Sequence, residues 1–341
     1  MTNLQIEPQL QQATPSLIFE TLHRYQHTMA LKAAIDLEVF THIAGGASTP
    51  AAIAALSDAN ERGVRILCDF LTILGFLRKS GSGYSLTRDS SIFLDKRSPA
   101  YTGSVVGFLS SPVTLDLFRD LAAVVRNGGP LNGSGHMLPD NDIWVKFANS
   151  MAPMIAPVAD AVANAVAAPG RRLKVLDIAA GHGMFGISVA RRNPQAEIVA
   201  VDWKNVLGVA ERNAARAGVQ DRFRTIPGSV FEVDIESRYD LVVVANFLHC
   251  FDIPTNIGFL KKVWTAMKPG GLLATVELVP NEDRISPPIA ASFSMNMLGA
   301  TNGGDAYTFS EFDRMFRAAG FDGSRMQLLE PTPHALILTA R

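Results

Sequence analysis

Apolar residues recur at helical spacing in the first part of the chain, between about residues 15 and 75. The pair Thr49-Pro50 and the residue Asn60 mark two helix starts, because each supplies an N-cap side chain. The stretch "GFLRKSGSGYSLT" alternates and turns through Gly81 and Gly83, which predicts a β-hairpin. Three helices followed by a hairpin predict a winged-helix domain over residues 1–100.

A winged helix suggests DNA binding, but the helix that would enter a major groove is nearly all apolar. It carries Ile66, Leu67, Phe70 and Leu71, and a helix of this kind needs burial on more than one side. The net charge of −1 also lacks the basic excess of a nucleic-acid binder. We therefore expect a buried homodimer interface and no nucleic-acid partner, while salt-dependent DNA binding would support a transcription factor.

The middle of the chain, residues 101–168, is predicted to be a helical connector that contributes to a substrate pocket. A Gly/Pro-rich loop, "NGGPLNGSGHMLPDN", is followed by a helical run that contains Met151 and Met154. With Phe293 and Met297, these residues are candidates for an apolar substrate pocket. Ordinary core packing is the alternative, since methionine fills core gaps readily.

Strand and helix patterns alternate from Lys174 onward, and residues 169–341 form the third predicted part. Such alternation predicts an α/β fold, with a Rossmann-like, doubly wound parallel sheet and helices on both faces. The last two strand patterns flank a turn at Pro331–Pro333, so we expect the final strands to pair antiparallel. Thr308 and Glu311 form a capping box at the start of a helix.

A glycine-rich turn, "VLDIAAGHGMFG", follows the first of these strands. Gly181, Gly183 and Gly186 match the dinucleotide pattern, with Asp202 where a ribose-binding acid would lie. Asp177, however, would not help a pyrophosphate, whereas it would help a cationic ammonium or sulfonium group. The combined pattern favours a nucleoside with a positively charged amino-acid tail, and an NAD-dependent oxidoreductase is the alternative.

These motifs, together with "RYDLVVVANFLHCFD" and "MKPGG", resemble the class I S-adenosylmethionine-dependent methyltransferases. The chain is most similar to the O-methyltransferases of the caffeate and acetylserotonin type and their bacterial relatives. The resemblance implies an N-terminal dimerisation domain, S-adenosyl-L-methionine as cofactor, and methyl transfer to a hydroxyl of a small, aromatic molecule. C-, N- or S-methylation, or non-methylating chemistry on the same fold, stays an alternative.

The resemblance also implies a set of cofactor-binding residues. Ala179 takes the place of the first loop glycine, and Ser229 stands where many relatives have Asp. Gly186 is then expected to be a helix position that packs closely on the sheet. The implied cofactor residues are Asp177, Ala179, Gly181, Gly183, Asp202, Trp203, Ser229, Val230 and Asn246.

His249 matches the catalytic base of the family, and Glu277 matches an acid that orients the base. A phenol has a pKa of about 10 and histidine one of about 6.5, so the imidazole can take the proton as the new bond forms. Ala306 occupies the place of a second acid, which makes the neighbouring Asp305 its candidate substitute. A structural histidine is the alternative for His249, and we expect no metal.

The chain has only two cysteines, Cys68 and Cys250, and its polar first residues lack the layout of a signal peptide. No apolar run approaches the length of a membrane helix. From these features we expect a cytoplasmic protein without a membrane partner.

Overall fold

The computed structural model describes residues 13–131 and 142–341. The polar N-terminus and most of the Gly/Pro-rich loop lie outside the described residues. The chain divides into two compact units, one that reaches Gly103 and one that starts at Ser104. Within the described ranges, no helix is both long and apolar enough to cross a membrane.

The first unit contains short helices and a two-stranded hairpin. Thr49 accepts a hydrogen bond from the Ala52 N–H at 3.3 Å, and Asn60 accepts one from the Arg62 N–H at 3.0 Å, so both predicted N-caps are confirmed. The elements are α1 (Ser16–His23), α2 (Tyr25–Asp36), α3 (Val39–Ala44), α4 (Pro50–Leu56), α5 (Glu61–Ile73), β1 (Leu77–Ser80), β2 (Gly83–Leu86) and α6 (Arg88–Phe93).

The second unit alternates strands and helices after a helical entry. That entry comprises α7 (Val106–Leu109), α8 (Pro112–Asp116), α9 (Leu121–Asn127) and α10 (Asp142–Val166). The strands are β3 (Leu173–Ile178), β4 (Ala196–Asp202), β5 (Phe223–Pro227), β6 (Tyr239–Ala245), β7 (Met267–Glu277), β8 (Ser324–Leu328) and β9 (Ala335–Ala340). The helices between them are α11 (Met184–Arg192), α12 (Lys204–Arg216), α13 (Ile253–Ala266), α14 (Pro288–Ala300) and α15 (Phe309–Ala318).

These seven strands form one sheet in the order β5-β4-β3-β6-β7-β9-β8. The first five of that order run parallel, while β9 lies antiparallel to both β7 and β8. An apolar cluster covers each face of the sheet. The predicted doubly wound sheet with antiparallel final strands is thus confirmed, and its order reverses between β3 and β6, where ligands bind in such folds.

Two strand limits differ from the sequence pattern. β6 ends at Ala245 because Asn246 adopts a left-handed conformation, with φ of 52°. β7 begins at Met267 and includes the expected "MKPGG" turn, next to an irregular register between Tyr239 and Leu241. The early end of β6 turns the chain at the carboxyl edge of the sheet.

Candidate active site

Three residues of the loop after β3 have a left-handed backbone conformation. Ala179, Gly181 and Gly183 have φ values of 52°, 56° and 75°. Ala179 therefore adopts the conformation that a glycine would favour, in spite of its Cβ. Gly183 is the N-cap residue of α11, and a Cβ there would lie 2.9 Å from the Cβ of Ala210.

Asp177 points from β3 toward the start of α11. Its carboxyl is buried, and its Oδ2 accepts a hydrogen bond from the Gly186 N–H at 2.9 Å. A Cβ on Gly186 would lie 2.6 Å from Cγ2 of Ile198 and 2.9 Å from Oδ2 of Asp177. The close packing expected of Gly186 is confirmed.

Asp202 closes the loop from the end of β4. Its two carboxyl oxygens accept hydrogen bonds from the N–H groups of Gly181 at 2.8 Å and Trp203 at 2.7 Å. A carboxylate has about four acceptor sites, so it can still accept from two ribose hydroxyls.

Asp177 and Asp202 form a pair of uncompensated acids in this loop. Burial raises the pKa of Asp177 to about 7, with a contribution from Asp202, and burial raises that of Asp202 to about 6. Neither carboxyl has an ion-pair partner in the part of the chain that the structure describes. A cationic ligand would stabilise both ionised forms, which fits S-adenosylmethionine better than a dinucleotide.

The turn after β5 lies beside the end of β4. The Gly228 N–H donates to the carbonyl of Asp202 at 2.9 Å, which brings Ser229 and Val230 next to the Gly loop. Lys262 on α13 fixes this turn, since its Nζ donates to the carbonyl of Val230 at 2.8 Å.

The two remaining predicted cofactor residues lie at the same edge of the sheet. Trp203 precedes α12 and packs in an apolar cluster with Trp144. Asn246 follows β6, and its N–H donates to the carbonyl of Val276 at 2.8 Å.

His249 lies in a single 3₁₀ turn, Leu248–Cys250, just past the end of β6. Its Nδ1 lies 2.5 Å from Oε2 of Glu277, the last residue of the neighbouring β7. The other oxygen, Oε1, accepts hydrogen bonds from the N–H groups of Phe247 at 2.9 Å and Leu248 at 2.8 Å. The structure thus joins the predicted base and the predicted orienting acid.

Both members of this pair are buried. Burial alone lowers the pKa of His249, but the Glu277 carboxylate, with a smaller contribution from Cys250, raises it well above the ordinary value. A carboxylate on Nδ1 fixes the tautomer, so Nε2 is the nitrogen that can exchange a proton with a ligand.

Two residues that sequence reasoning missed hold this turn. The Asn256 amide donates to the carbonyls of Leu248 at 2.8 Å and Phe251 at 3.1 Å, on either side of His249. The Tyr307 hydroxyl donates to the same Phe251 carbonyl at 2.6 Å. Both are buried polar side chains, a property that becomes visible only in the fold.

His182, in the middle of the Gly loop, was also missed. Its ring is buried, its Nδ1 accepts from the Met184 N–H at 3.2 Å, and burial lowers its pKa to about 4. It is therefore neutral near pH 7, with its proton on Nε2.

The predicted substrate residues fall into two places. Phe293 on α14 meets the His249 ring edge-on, with 4.9 Å between ring centroids, and Met297 on the same helix is buried. Met151 and Met154 on α10 belong to the apolar cluster that covers one face of the sheet. Their contacts there are those of core residues, whereas Phe293 touches the candidate base.

Asp305 forms an ion pair with Arg284. Its Oδ2 lies 3.1 Å from Nη1 of Arg284, whose Nη2 binds Glu311 at 2.5 Å, and its Oδ1 accepts from the Ala306 N–H at 2.8 Å. The hydrogen bonds of His249 within the described chain involve Glu277 and not Asp305. Across the two described ranges, no three acidic, histidine or cysteine side chains are grouped so as to hold a metal ion.

Two family models match the chain. Residues 19–96 match an O-methyltransferase dimerisation domain, and residues 118–322 match an O-methyltransferase domain. Among curated relatives, the chain is 27% identical over 310 residues to the 3-hydroxy-5-methyl-1-naphthoate 3-O-methyltransferase of Streptomyces sahachiroi, covering 90% of this chain and 89% of the relative. It is 26% identical over 336 residues to rat acetylserotonin O-methyltransferase, covering 95% and 77%.

The chain is also similar to solved structures. A candidate O-methyltransferase of Nostoc punctiforme is 45% identical, with a TM-score of 0.93 over 96% of this chain and 99% of the other. Human N-acetylserotonin methyltransferase, solved with its cofactor, shares the fold at 21% identity and a TM-score of 0.84, over 98% and 99%. The nicotinamide alternative is therefore wrong. The chain belongs to the O-methyltransferase family and is an S-adenosylmethionine-dependent enzyme.

Proposed function

We propose that this enzyme methylates a hydroxyl group of a small aromatic molecule, with His249 as the general base. The observation that carries the proposal is the buried contact of 2.5 Å between His249 Nδ1 and Glu277 Oε2. This contact holds one imidazole nitrogen and leaves Nε2 for the acceptor.

The residues at the edge of β3, β4 and β5 suit the cofactor. We assign Asp202 to the ribose hydroxyls, the Gly loop with Asp177 to the charged amino-acid tail, and Ser229 with Val230 to the adenine. When bound, S-adenosylmethionine supplies a methyl group on a positively charged sulfur.

The role of His249 follows from proton chemistry. A phenol with a pKa of about 10 is almost fully protonated at pH 7, so its nucleophilicity depends on proton removal. His249 Nε2 accepts that proton, and the Glu277 carboxylate stabilises the resulting imidazolium. General-base assistance of this kind is typically worth about 10²–10⁴-fold in rate.

The acceptor class follows from the side chains beside the base. The Phe293 ring lies edge-to-face with the His249 ring, with 4.9 Å between the ring centroids, and Met297 follows one helical turn later. Apolar walls of this kind favour a flat ring system. Two relatives named above act on a hydroxynaphthoate and on acetylserotonin, both hydroxylated aromatic molecules.

The proposal is tested with wild type and the His249→Gln variant on a panel of hydroxynaphthoates, N-acetylserotonin and hydroxyphenazines. We expect wild-type turnover and a loss of about 10²-fold or more in kcat for the variant. The affinity for S-adenosylhomocysteine, measured by calorimetry, should be preserved, because His249 is not assigned to the cofactor.

Equal kcat values for wild type and His249→Gln would contradict the role of the base. Two-dimensional NMR of the product identifies the methylated atom. A methyl group on carbon, nitrogen or sulfur would replace the proposed O-methylation.

We further propose that the first unit forms a homodimer. Its α1 helix has no buried residue and exposes a row of large apolar side chains. They are Leu17, Ile18, Phe19 and Leu22, with Tyr25 at the start of α2.

A further inference from the structure

His334 lies at the same end of the same strand pair as the proposed catalytic residues. It directly precedes β9, whose first residue, Ala335, is the register partner of Glu277 on β7. Glu277 in turn binds His249. The start of an antiparallel strand thus brings a second histidine to the carboxyl edge of the parallel sheet.

The backbone hydrogen-bonding groups of His334 are satisfied, but one of its ring nitrogens is not. Its carbonyl accepts from the Leu329 N–H at 2.9 Å, and its own N–H donates to Thr332 Oγ1 at 3.4 Å. The residue is 6% exposed, and its buried Nδ1 has no hydrogen-bond partner in the described part of the chain. An enclosed polar atom without a partner costs folding free energy, so packing alone does not account for a histidine here.

The burial of His334 favours a neutral ring. Burial lowers its pKa, Glu277 raises it, and His249 lowers it again. A neutral imidazole has one donor and one acceptor nitrogen, so it can bind either a hydroxyl or a carbonyl group.

We propose that His334 is a binding residue for the methyl acceptor, and that its imidazole hydrogen-bonds a polar group of the aromatic substrate. The inference rests on the proposed function of the His249–Glu277 pair. The acceptor is favoured over the cofactor because His334 lies at the end of the β7–β9 pair. The residues that we assign to the cofactor lie at or just beyond the carboxyl ends of β3, β4 and β5.

The test compares His334→Leu with His334→Asn, two side chains of nearly the same shape. Leucine removes the polar atoms, whereas the asparagine amide places one close to the position of Nδ1. The panel compound with the highest wild-type turnover serves as the acceptor. Measurements are the KM for that acceptor, the Kd for S-adenosylhomocysteine and the Tm.

For His334→Leu we expect the acceptor KM to rise by about tenfold or more, which corresponds to the loss of one hydrogen bond. Its Kd for S-adenosylhomocysteine should not change, and its Tm should be equal to or above that of wild type, because an unsatisfied polar group is removed. His334→Asn should recover most of the acceptor affinity.

A lowered Tm with an unchanged KM in His334→Leu would overturn the proposal and make His334 a packing residue. Equal losses of acceptor and S-adenosylhomocysteine affinity would also overturn it. Absence of wild-type turnover on the whole panel would count against the proposed function instead. In that case the Tm of His334→Leu still tests His334. A Tm markedly below that of wild type would contradict the proposal, because it would show that the imidazole stabilises the fold.

Discussion

Ala179 lies in the glycine-rich loop after β3, and its backbone adopts a conformation that favours glycine. It has a φ of 52°, which an L-residue adopts at a cost of roughly 1–2 kcal/mol relative to right-handed conformations. Glycine lacks this cost but loses more chain entropy, about 0.4–1 kcal/mol. We therefore expect Ala179→Gly to raise the free energy of unfolding by about 0.5–1 kcal/mol in urea titrations.

The control is Ala180→Gly, because Ala180 is buried and does not have a positive φ. This variant should lose about 0.5–1 kcal/mol. The affinity of Ala179→Gly for S-adenosylhomocysteine should equal that of wild type, since the backbone N–H groups keep their directions. A loss of stability in Ala179→Gly would show that the alanine methyl group contributes packing that outweighs its strain.

The sequence predicts the positions of some site residues but not of others. Asp177, Asp202 and His249 could be placed because each lies near the carboxyl end of a parallel strand, and these ends meet at one edge of the sheet. His334 could not, because its position depends on the register between β9 and β7, which no local pattern specifies.

The His249–Glu277 pair, at the ends of β6 and β7, is expected to make both stability and activity depend on pH. The Glu277 carboxylate raises the pKa of His249 well above its ordinary value. The pair therefore stabilises the fold fully below about pH 6.5, and this contribution is lost as the pH rises through the folded pKa. Because the base must be neutral, kcat/KM should rise with pH on the alkaline side of 6.5.

The Glu277→Gln variant lacks the negative charge that raises the pKa of His249, so burial should lower this pKa. We expect the rising limb of kcat/KM to move to lower pH with a reduced plateau. The stability difference from wild type should shrink as the pH increases. His42→Gln, a histidine lost from α3 in the first unit, is the control. If kcat/KM rose over the same pH range in Glu277→Gln as in wild type, Glu277 would not control the pKa of His249.

At the scale of elements, buried parallel strands such as β3 and β4 were predictable because they appear as continuous apolar runs. The end of β6 was not. The apolar run continues through Phe247 and Leu248, yet Phe247 precedes and Leu248 begins the 3₁₀ turn that carries His249. Leu248 is fully buried, so its hydrophobicity reflects the packing of a turn and not a longer strand.

At the scale of the whole molecule, the exposed row on α1 needs a partner. Leu17, Phe19 and Leu22 are exposed by 68%, 57% and 64%, and residues 19–96 match a dimerisation model. Large contiguous apolar patches are uncommon on monomers and mark interaction surfaces. We expect sedimentation velocity to give twice the chain mass of 36.7 kDa for wild type.

The variant Phe19→Asp with Leu22→Asp should shift the mass toward that of one chain, because burying a carboxylate in an apolar interface is costly. The control is Glu20→Gln, an exposed change on the same helix that leaves the apolar row intact. Circular dichroism shows whether the double variant keeps its helices. A dimer that persists in the folded double variant would locate the interface elsewhere and leave the α1 row for another partner.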